Sequence, residues 1–294
     1  MKSKNTSSAQ SEKVQQIDCR GKKLSFATHT LIMGIVNVTP DSFSDGNDYF
    51  EPQAAINRAL DMQQQGADII DIGGESTRPG SERISVQEEL ARVMPVIEEL
   101  VQKLSIPISI DTYRAKVAEQ ALLHGALIIN DISALNFDRD MASVAAQYDV
   151  PVILMHIKGE PKTMQENPYY EDVIQEITQY FEERIECALK AGIKRQRLIL
   201  DPGIGFGKRV EDNYAIIRRL DELLSFQLPI LVGPSRKSFI GAVSDLPPKQ
   251  RLEGTLAVAT ACALNGAHIV RVHDVHEVRR TLDVADAISG KKVI

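Results

Sequence analysis

Three cysteines in 294 residues, Cys19, Cys187 and Cys262, are odd in number and too scattered for a disulfide framework. No CxxC or Cys/His spacing occurs, which removes the usual structural zinc site. The chain also lacks an excess of positive charge. Its net charge is −6, whereas a sequence-independent nucleic-acid binder needs a basic face. No apolar run approaches the roughly 20 residues of a membrane-spanning helix, and the N-terminal stretch has no apolar core of a signal peptide. The expectation is a cytoplasmic protein with small-molecule ligands and no nucleic-acid or membrane partner. An acidic chain that handles a phosphorylated ligand must gather its positive charge locally.

Ligand motifs are missing as well. Asp201–Lys208 (DPGIGFGK) imitates a phosphate loop, but Gly203 and Lys208 do not have GxxxxGK spacing and Arg209 follows where Ser or Thr is required. Its glycines alternate, so GxGxxG is absent too. The expectation for this stretch is close backbone approach to a ligand, with Phe206 as an aromatic wall. No HxH marks a metallohydrolase, and His156 and His273 lie far apart in sequence.

What is present is one repeating pattern. Hydrophobic residues make up 43% of the chain and charged ones 25%, enough to build one sizeable core. Residues 1–16 are Ser, Lys and Gln with little to bury, and read as a disordered tail. A turn over Cys19–Lys23 suggests a short hairpin. From Leu31 on, short β-branched runs alternate with amphipathic helical stretches. The runs are Leu31–Val36, Asp68–Gly73, Pro107–Asp111, Leu127–Asp131, Val152–His156, Leu198–Asp201, Pro229–Val232 and His268–Val272. They are nearly continuously apolar, as parallel strands covered on both faces must be. Glycines that end helices, such as Gly66, Gly125, Gly192 and Gly266, precede several of them. Eight such pairs predict an α/β fold, a single (β/α)₈ TIM barrel over 17–294.

Polar residues gather where these runs end: Asn37, Asp71, Asp111, Asn130, Asp131, Met155 with His156, Asp201, Ser235 with Lys237, and Arg271 with His273. One Asp or Asn there is ordinarily a helix cap, but a full ring at one rim is a site. Carboxylates and an amide beside Lys237 and Arg271 suit a flat heterocycle with an amidine-like edge and an anionic tail. Arg78, in the Gly-rich stretch 73–80, is a natural phosphate contact. Any magnesium ion would be held mainly by substrate phosphates.

In order along the chain, these residues resemble the dihydropteroate synthase family. The resemblance rests on MGIVNVTPDSFSDG (Met33–Gly46), DIGGESTRPG (Asp71–Gly80), SIDT (Ser109–Thr112), NDI (Asn130–Ile132), Met155-His156 with MQENP (Met164–Pro168), LDPGIGFG (Leu200–Gly207), SRKSF (Ser235–Phe239) and RVH (Arg271–His273). One departure is Asn47 after Asp45-Gly46, where the family usually has a second Gly. The resemblance implies condensation of a dihydropterin pyrophosphate with p-aminobenzoate in folate biosynthesis, sensitivity to sulfonamides, a Mg²⁺ cofactor and a homodimer. It implies a pterin site of Asp111, Asn130, Met155, Asp201, Lys237 and Arg271. Pyrophosphate would meet Asn37 (through Mg²⁺), Thr77, Arg78, Arg271 and His273. The p-aminobenzoate would meet Phe43, Thr77, Pro79, Phe206, Ser235, Lys237 and Ser238. Asp41, Arg78, Asp111, Lys237, Arg271 and His273 would act in catalysis. Alternatives are a methyltetrahydrofolate–corrinoid methyltransferase, whose barrel grips a pterin similarly, and a pterin-binding protein without catalysis.

Overall fold

The structure is a computed structural model that describes residues 16–39, 52–77 and 80–291. The tail up to residue 15, the first Gly-rich loop with Asp41, Phe43 and Asn47, and Arg78 with Pro79 lie outside the described residues.

The chain opens with a hairpin, β1 (Gln16–Cys19) and β2 (Lys22–Ser25). Arg20 and Gly21 both have positive φ, 52° and 99°, which two-residue turns of matching twist require. Gln16 therefore belongs to a strand, although its polarity had placed it in the tail; pairing with Ser25 supplies what composition does not show.

Eight parallel strands follow: β3 (Leu31–Asn37), β4 (Ile69–Gly73), β5 (Ile108–Asp111), β6 (Ile128–Asp131), β7 (Val152–Met155), β8 (Leu198–Asp201), β9 (Leu231–Val232) and β10 (Ile269–Val272). Their order is β8-β7-β6-β5-β4-β3-β10-β9. A parallel bridge between Leu200 and Ile230 joins the two ends, so the sheet curls into the expected barrel. Strand β9 is shorter than its apolar run because only its last two residues pair with β10.

Helices cover the outside: α1 (Pro52–Gln64), α2 (Val86–Lys103), α3 (Ala115–Leu123), α4 (Met141–Tyr148), α5 (Val173–Lys190), α6 (Val210–Arg218), α7 (Ser238–Ser244), α8 (Leu252–Leu264) and α9 (Val275–Ile288). Two start signals are explicit. Ser85 Oγ accepts from Glu88 N at 3.1 Å before α2, and Asp172 Oδ1 accepts from Ile174 N at 3.0 Å before α5. The amphipathic stretch before β9 is not one continuous helix: α6 ends at Arg218 and a 3₁₀ segment, Leu220–Phe226, completes the span.

Two apolar layers result from the two-residue period of the strands. Outward residues such as Ile70, Ile72, Ile110 and Val270 pack against the helices. Inward residues Met33, Ile69, Ile128, Ile153, Ile199, Leu231 and Ile269 fill the barrel, and Ile17, Cys19, Leu24 and Phe26 of the hairpin close its lower end. Each such fully buried side chain stabilises the fold by roughly 1.5–3 kcal/mol. The plug seals the N-terminal ends of the strands, which leaves the C-terminal rim as the open mouth.

Candidate active site

One step up each strand from this apolar layer, two residues on, the inward positions turn polar. Ile69 is followed by Asp71, Ile128 by Asn130, Ile199 by Asp201 and Ile269 by Arg271, while Ile153 leads to Met155. Asp111, Asn130, Met155, Asp201 and Arg271 line a cavity at the mouth. Thr77, Phe206 and Lys237 form its upper wall, with Ile132, Ile204 and Gly233 between. Six predicted pterin residues thus come together from six places in the sequence.

The floor is an ionic lattice. Arg271 donates from Nε to Asp71 Oδ2 at 2.6 Å and from Nη2 to Asp111 Oδ2 at 2.6 Å. Asn130 Nδ2 also donates to Asp71 Oδ2, at 3.0 Å. Burial pushes the Asp111 carboxyl up to about 7, against the pull of Arg271. Burial likewise raises Asp201 to about 6, with Gly203 N–H, Lys237, Arg271 and Lys208 opposing. Burial disfavours the Arg271 charge, but Asp71 and Asp111 more than compensate and hold its pKa above the ordinary value.

Asp71 was expected at a strand end. It instead sits in the middle of β4, fully buried, and organises two of the residues expected to hold the pterin. A carboxylate flanked by isoleucines inside a buried strand must be paired, and that rule was the available signal for its role. Asp131 is corrected in the other direction. Its Oδ1 accepts from Ser133 N at 2.8 Å and its Oδ2 from Leu135 N at 2.8 Å, so it braces its own turn and does not line the cavity.

The β9 loop is tied to the end of β10. Ser235 Oγ shares a 2.8 Å hydrogen bond with His273 Nδ1, and Arg236 pairs with Asp274 at 2.5 Å. Ser235 is buried against His273, and Ser238 opens α7 on the exposed side. Lys237 lies between them with Nζ 4.0 Å from the Phe206 ring centroid. This is a cation–π arrangement that fixes both groups.

The glycine-rich loop after β8 is also packed against a neighbouring loop. Gly203 has φ +64° and its missing Cβ would strike the His156 carbonyl oxygen; at Gly207 the obstacle is the Lys158 carbonyl. At Gly203 and Gly207 the close approach is therefore loop to loop, between the β8 and β7 connections, while Gly203, Ile204 and the Phe206 ring line the cavity.

The connection from β4 to α2 is clasped at Glu75 and Ile84, which the sequence did not reveal. Arg114 pairs with Glu75 at 2.7 Å and with Glu89, and its Nη2 donates to Ile84 O at 2.6 Å. Ile84 N and the Tyr113 hydroxyl donate to the two Glu75 oxygens at 3.0 and 2.6 Å. Thr77 rises from this base to the mouth.

Asn37, the last residue of β3, is partly exposed near the rim. Among the described residues no group of three or more His, Cys, Asp or Glu could hold a metal ion. No described helix is long and apolar enough to cross a membrane.

The fold and this rim define a barrel transferase, and comparison with known proteins places it. The chain belongs to the pterin-binding enzymes, whose family model matches residues 33–273, and within them to the dihydropteroate synthases. It is 52% identical over 260 residues to the dihydropteroate synthase of Synechocystis sp., covering 88% of this chain and 90% of that one. It resembles the Yersinia pestis dihydropteroate synthase in a sulfonamide drug complex with a TM-score of 0.89 and 44% identity, covering 94% and 99% of the two chains. The Xanthomonas albilineans dihydropteroate synthase in complex with 7,8-dihydropteroate is similar at TM-score 0.84 and 40% identity, covering 93% and 98%.

Proposed function

We propose that this site joins 6-hydroxymethyl-7,8-dihydropterin pyrophosphate to p-aminobenzoate, giving 7,8-dihydropteroate and pyrophosphate by dissociative substitution at the pterin methylene carbon. The carrying observation is the convergence of Asp111, Asn130, Asp201, Lys237 and Arg271 on one cavity. A carboxylate takes two parallel N–H bonds from an amidine-like edge, the part for Asp201, with Asp111 and Asn130 on the remaining ring atoms. Arg271 has two edges committed to Asp71 and Asp111, so its planar face is the part to lie against the pterin.

Pyrophosphate leaves toward Thr77, Arg78, Arg271 and His273, whose charges and N–H groups match the charge that develops there. Asn37 offers a single neutral oxygen, which suits a cation that takes most of its ligands from phosphate and water. A magnesium ion held by Asn37 and the pyrophosphate would neutralise part of the leaving-group charge. As the carbon–oxygen bond breaks, positive charge spreads into the pterin ring beside Asp111 and Asp201, with Asp41 in the first loop for its exposed face. The aminobenzoate nitrogen then forms the new bond, guided by Phe43, Pro79, Phe206 and Ser238, with Ser235 behind Lys237. Its surplus proton becomes acidic as the bond forms, so no strong base is needed.

Purified protein given both substrates should release one pyrophosphate per dihydropteroate formed. A sulfonamide should inhibit in competition with p-aminobenzoate. Absence of product, or inhibition that p-aminobenzoate does not relieve, refutes the reading. The same reading carries a cytoplasmic homodimer, for which α8, rich in small apolar residues with Leu264 exposed, is the proposed contact.

A further inference from the structure

We propose that Lys208 is a positioning residue of this site: it locks the loop after β8 to the loop after β7 and lends positive charge to the Asp201 carboxylate. The inference rests on the pterin-binding role of Asp201 given above.

Lys208 is 3% exposed. A lysine ammonium has three N–H donors, and three acceptors surround this one. Nζ lies 2.9 Å from His156 Nδ1, 3.3 Å from His156 O and 3.0 Å from Phe206 O. A fully committed ammonium has no donor left for a phosphate, so the loop's likeness to a phosphate loop ends at this lysine. Burial, with Lys208 and Lys158 nearby, pushes His156 well below its ordinary value. Its neutral ring accepts at Nδ1, wedged edge-on against Tyr180 at 4.8 Å.

Four further backbone groups of the loop are held as well. Gly203 N donates to Asp201 Oδ1 at 2.7 Å and Gly205 N to Asn213 Oδ1 at 2.6 Å. Gln165 Nε2 donates to Gly205 O at 2.7 Å and Tyr170 Oη to Gly207 O at 2.7 Å. Lys208 supplies the hold on Phe206, the one residue of the run whose ring walls the aminobenzoate end. The Phe206 carbonyl is fixed by Lys208 from below while Lys237 covers the ring.

The charge has a separate effect. Asp201 is faced by Lys208 from its own loop, Lys237 from the β9 loop and Arg271 from β10, with the Cys262 thiol of α8 behind. Lys208 is faced in turn by Asp201, Asp212 of α6, Lys237, and Lys158 with His156 of the β7 loop; burial lowers it to about 7, so it carries its charge across the Asp201 limb near pH 6. Without Lys208 the carboxylate keeps two cations instead of three, and it takes up a proton at higher pH.

The test uses Lys208→Met and Lys208→Gln in the full chain. Binding of dihydropterin pyrophosphate is followed by calorimetry from about pH 5 to about pH 8, the window that brackets a perturbed carboxylate. Wild type should lose affinity as pH falls through about 7, where Asp111 takes up its proton, and again through about 6, the acid limb of Asp201. Both variants should show this acid limb displaced upward, about one unit being about a tenfold loss on the limb. Lys208→Met should also raise the KM for p-aminobenzoate several-fold more than Lys208→Gln, which keeps a donor for the Phe206 carbonyl. If the Met variant does not fold, the Gln variant alone decides by its acid limb. Wild-type binding with an unmoved limb in the folded variants overturns this inference alone. A wild type that binds no dihydropterin pyrophosphate overturns the functional reading first.

Discussion

Arg271 Nε lies 2.6 Å from Asp71 Oδ2 on the floor of the barrel, joining β10 to β4 through two side chains 200 residues apart. Asp71 makes no contact with the cavity itself, yet both Arg271 and Asn130 take their orientation from it. Replacing Asp71 by Ala leaves Arg271 with Asp111 only. Breaking a buried pair from one side costs roughly 3–5 kcal/mol. Denaturant titration should show a loss of about that size, together with weakened pterin binding; unchanged stability and affinity would remove Asp71 from any organising role.

The titration of Asp111 and Asp201, the two carboxylates proposed to hold the pterin, has a definite sign. Asp111 stands at about 7 and Asp201 at about 6 in the ligand-free protein, against roughly 3.9 when unfolded. The folded state therefore holds these protons more tightly than the unfolded state. Their contribution to stability is fully present below about pH 4 and is lost as pH rises through 6 to 7. Pterin binding runs the other way, since an ionised acceptor is required. Near pH 6 binding should release protons, visible as a dependence of calorimetric heat on the buffer's ionisation enthalpy. Asp201→Asn should abolish the Asp201 share and weaken binding by roughly 1.5–3 kcal/mol. Equal heats in all buffers would contradict the assignment.

Gly203 tests the packing of the two rim loops. At φ +64°, with a carbonyl oxygen where a Cβ would go, Ala strains the backbone and forces the loops apart. Overpacking of this kind costs about 1–3 kcal/mol. Gly203→Ala should lower the melting temperature and raise the KM for p-aminobenzoate through displacement of Phe206. An Ala variant with wild-type melting and KM would show that the loops separate easily.

Arg114 tests the base of the second loop. Burial raises the pKa of Glu89, with Thr112 and Arg114 holding it down. Arg114→Met leaves Glu89 and Glu75 beside each other without their cation. A stability loss of about 3 kcal/mol or more is expected, along with a raised KM for the pterin pyrophosphate as Thr77 loses its support. A change in kcat alone, with KM and stability intact, would speak against the clasp.

Much of this was present in the linear chain. The alternation of isoleucine-rich runs with amphipathic stretches dictates buried parallel strands and covering helices, because only that arrangement removes both strand faces from water. The two-residue period then says which residues look inward, and so Asp111, Asn130, Met155, Asp201 and Arg271 were legible as one rim. Side-chain partnership was not legible. Asp71 and Asp131 look alike in sequence, each an acid in a β-branched run, and they diverge because only one meets Arg271 while the other meets the N–H groups of its own turn. The glycines of 203–207 read as an approach to a ligand, and only tertiary packing shows that the neighbouring loop also presses on Gly203 and Gly207. Periodicity is a local property of the chain and can be read along it. Which charge neutralises which is decided by closure of the barrel, which brings residue 71 to residue 271.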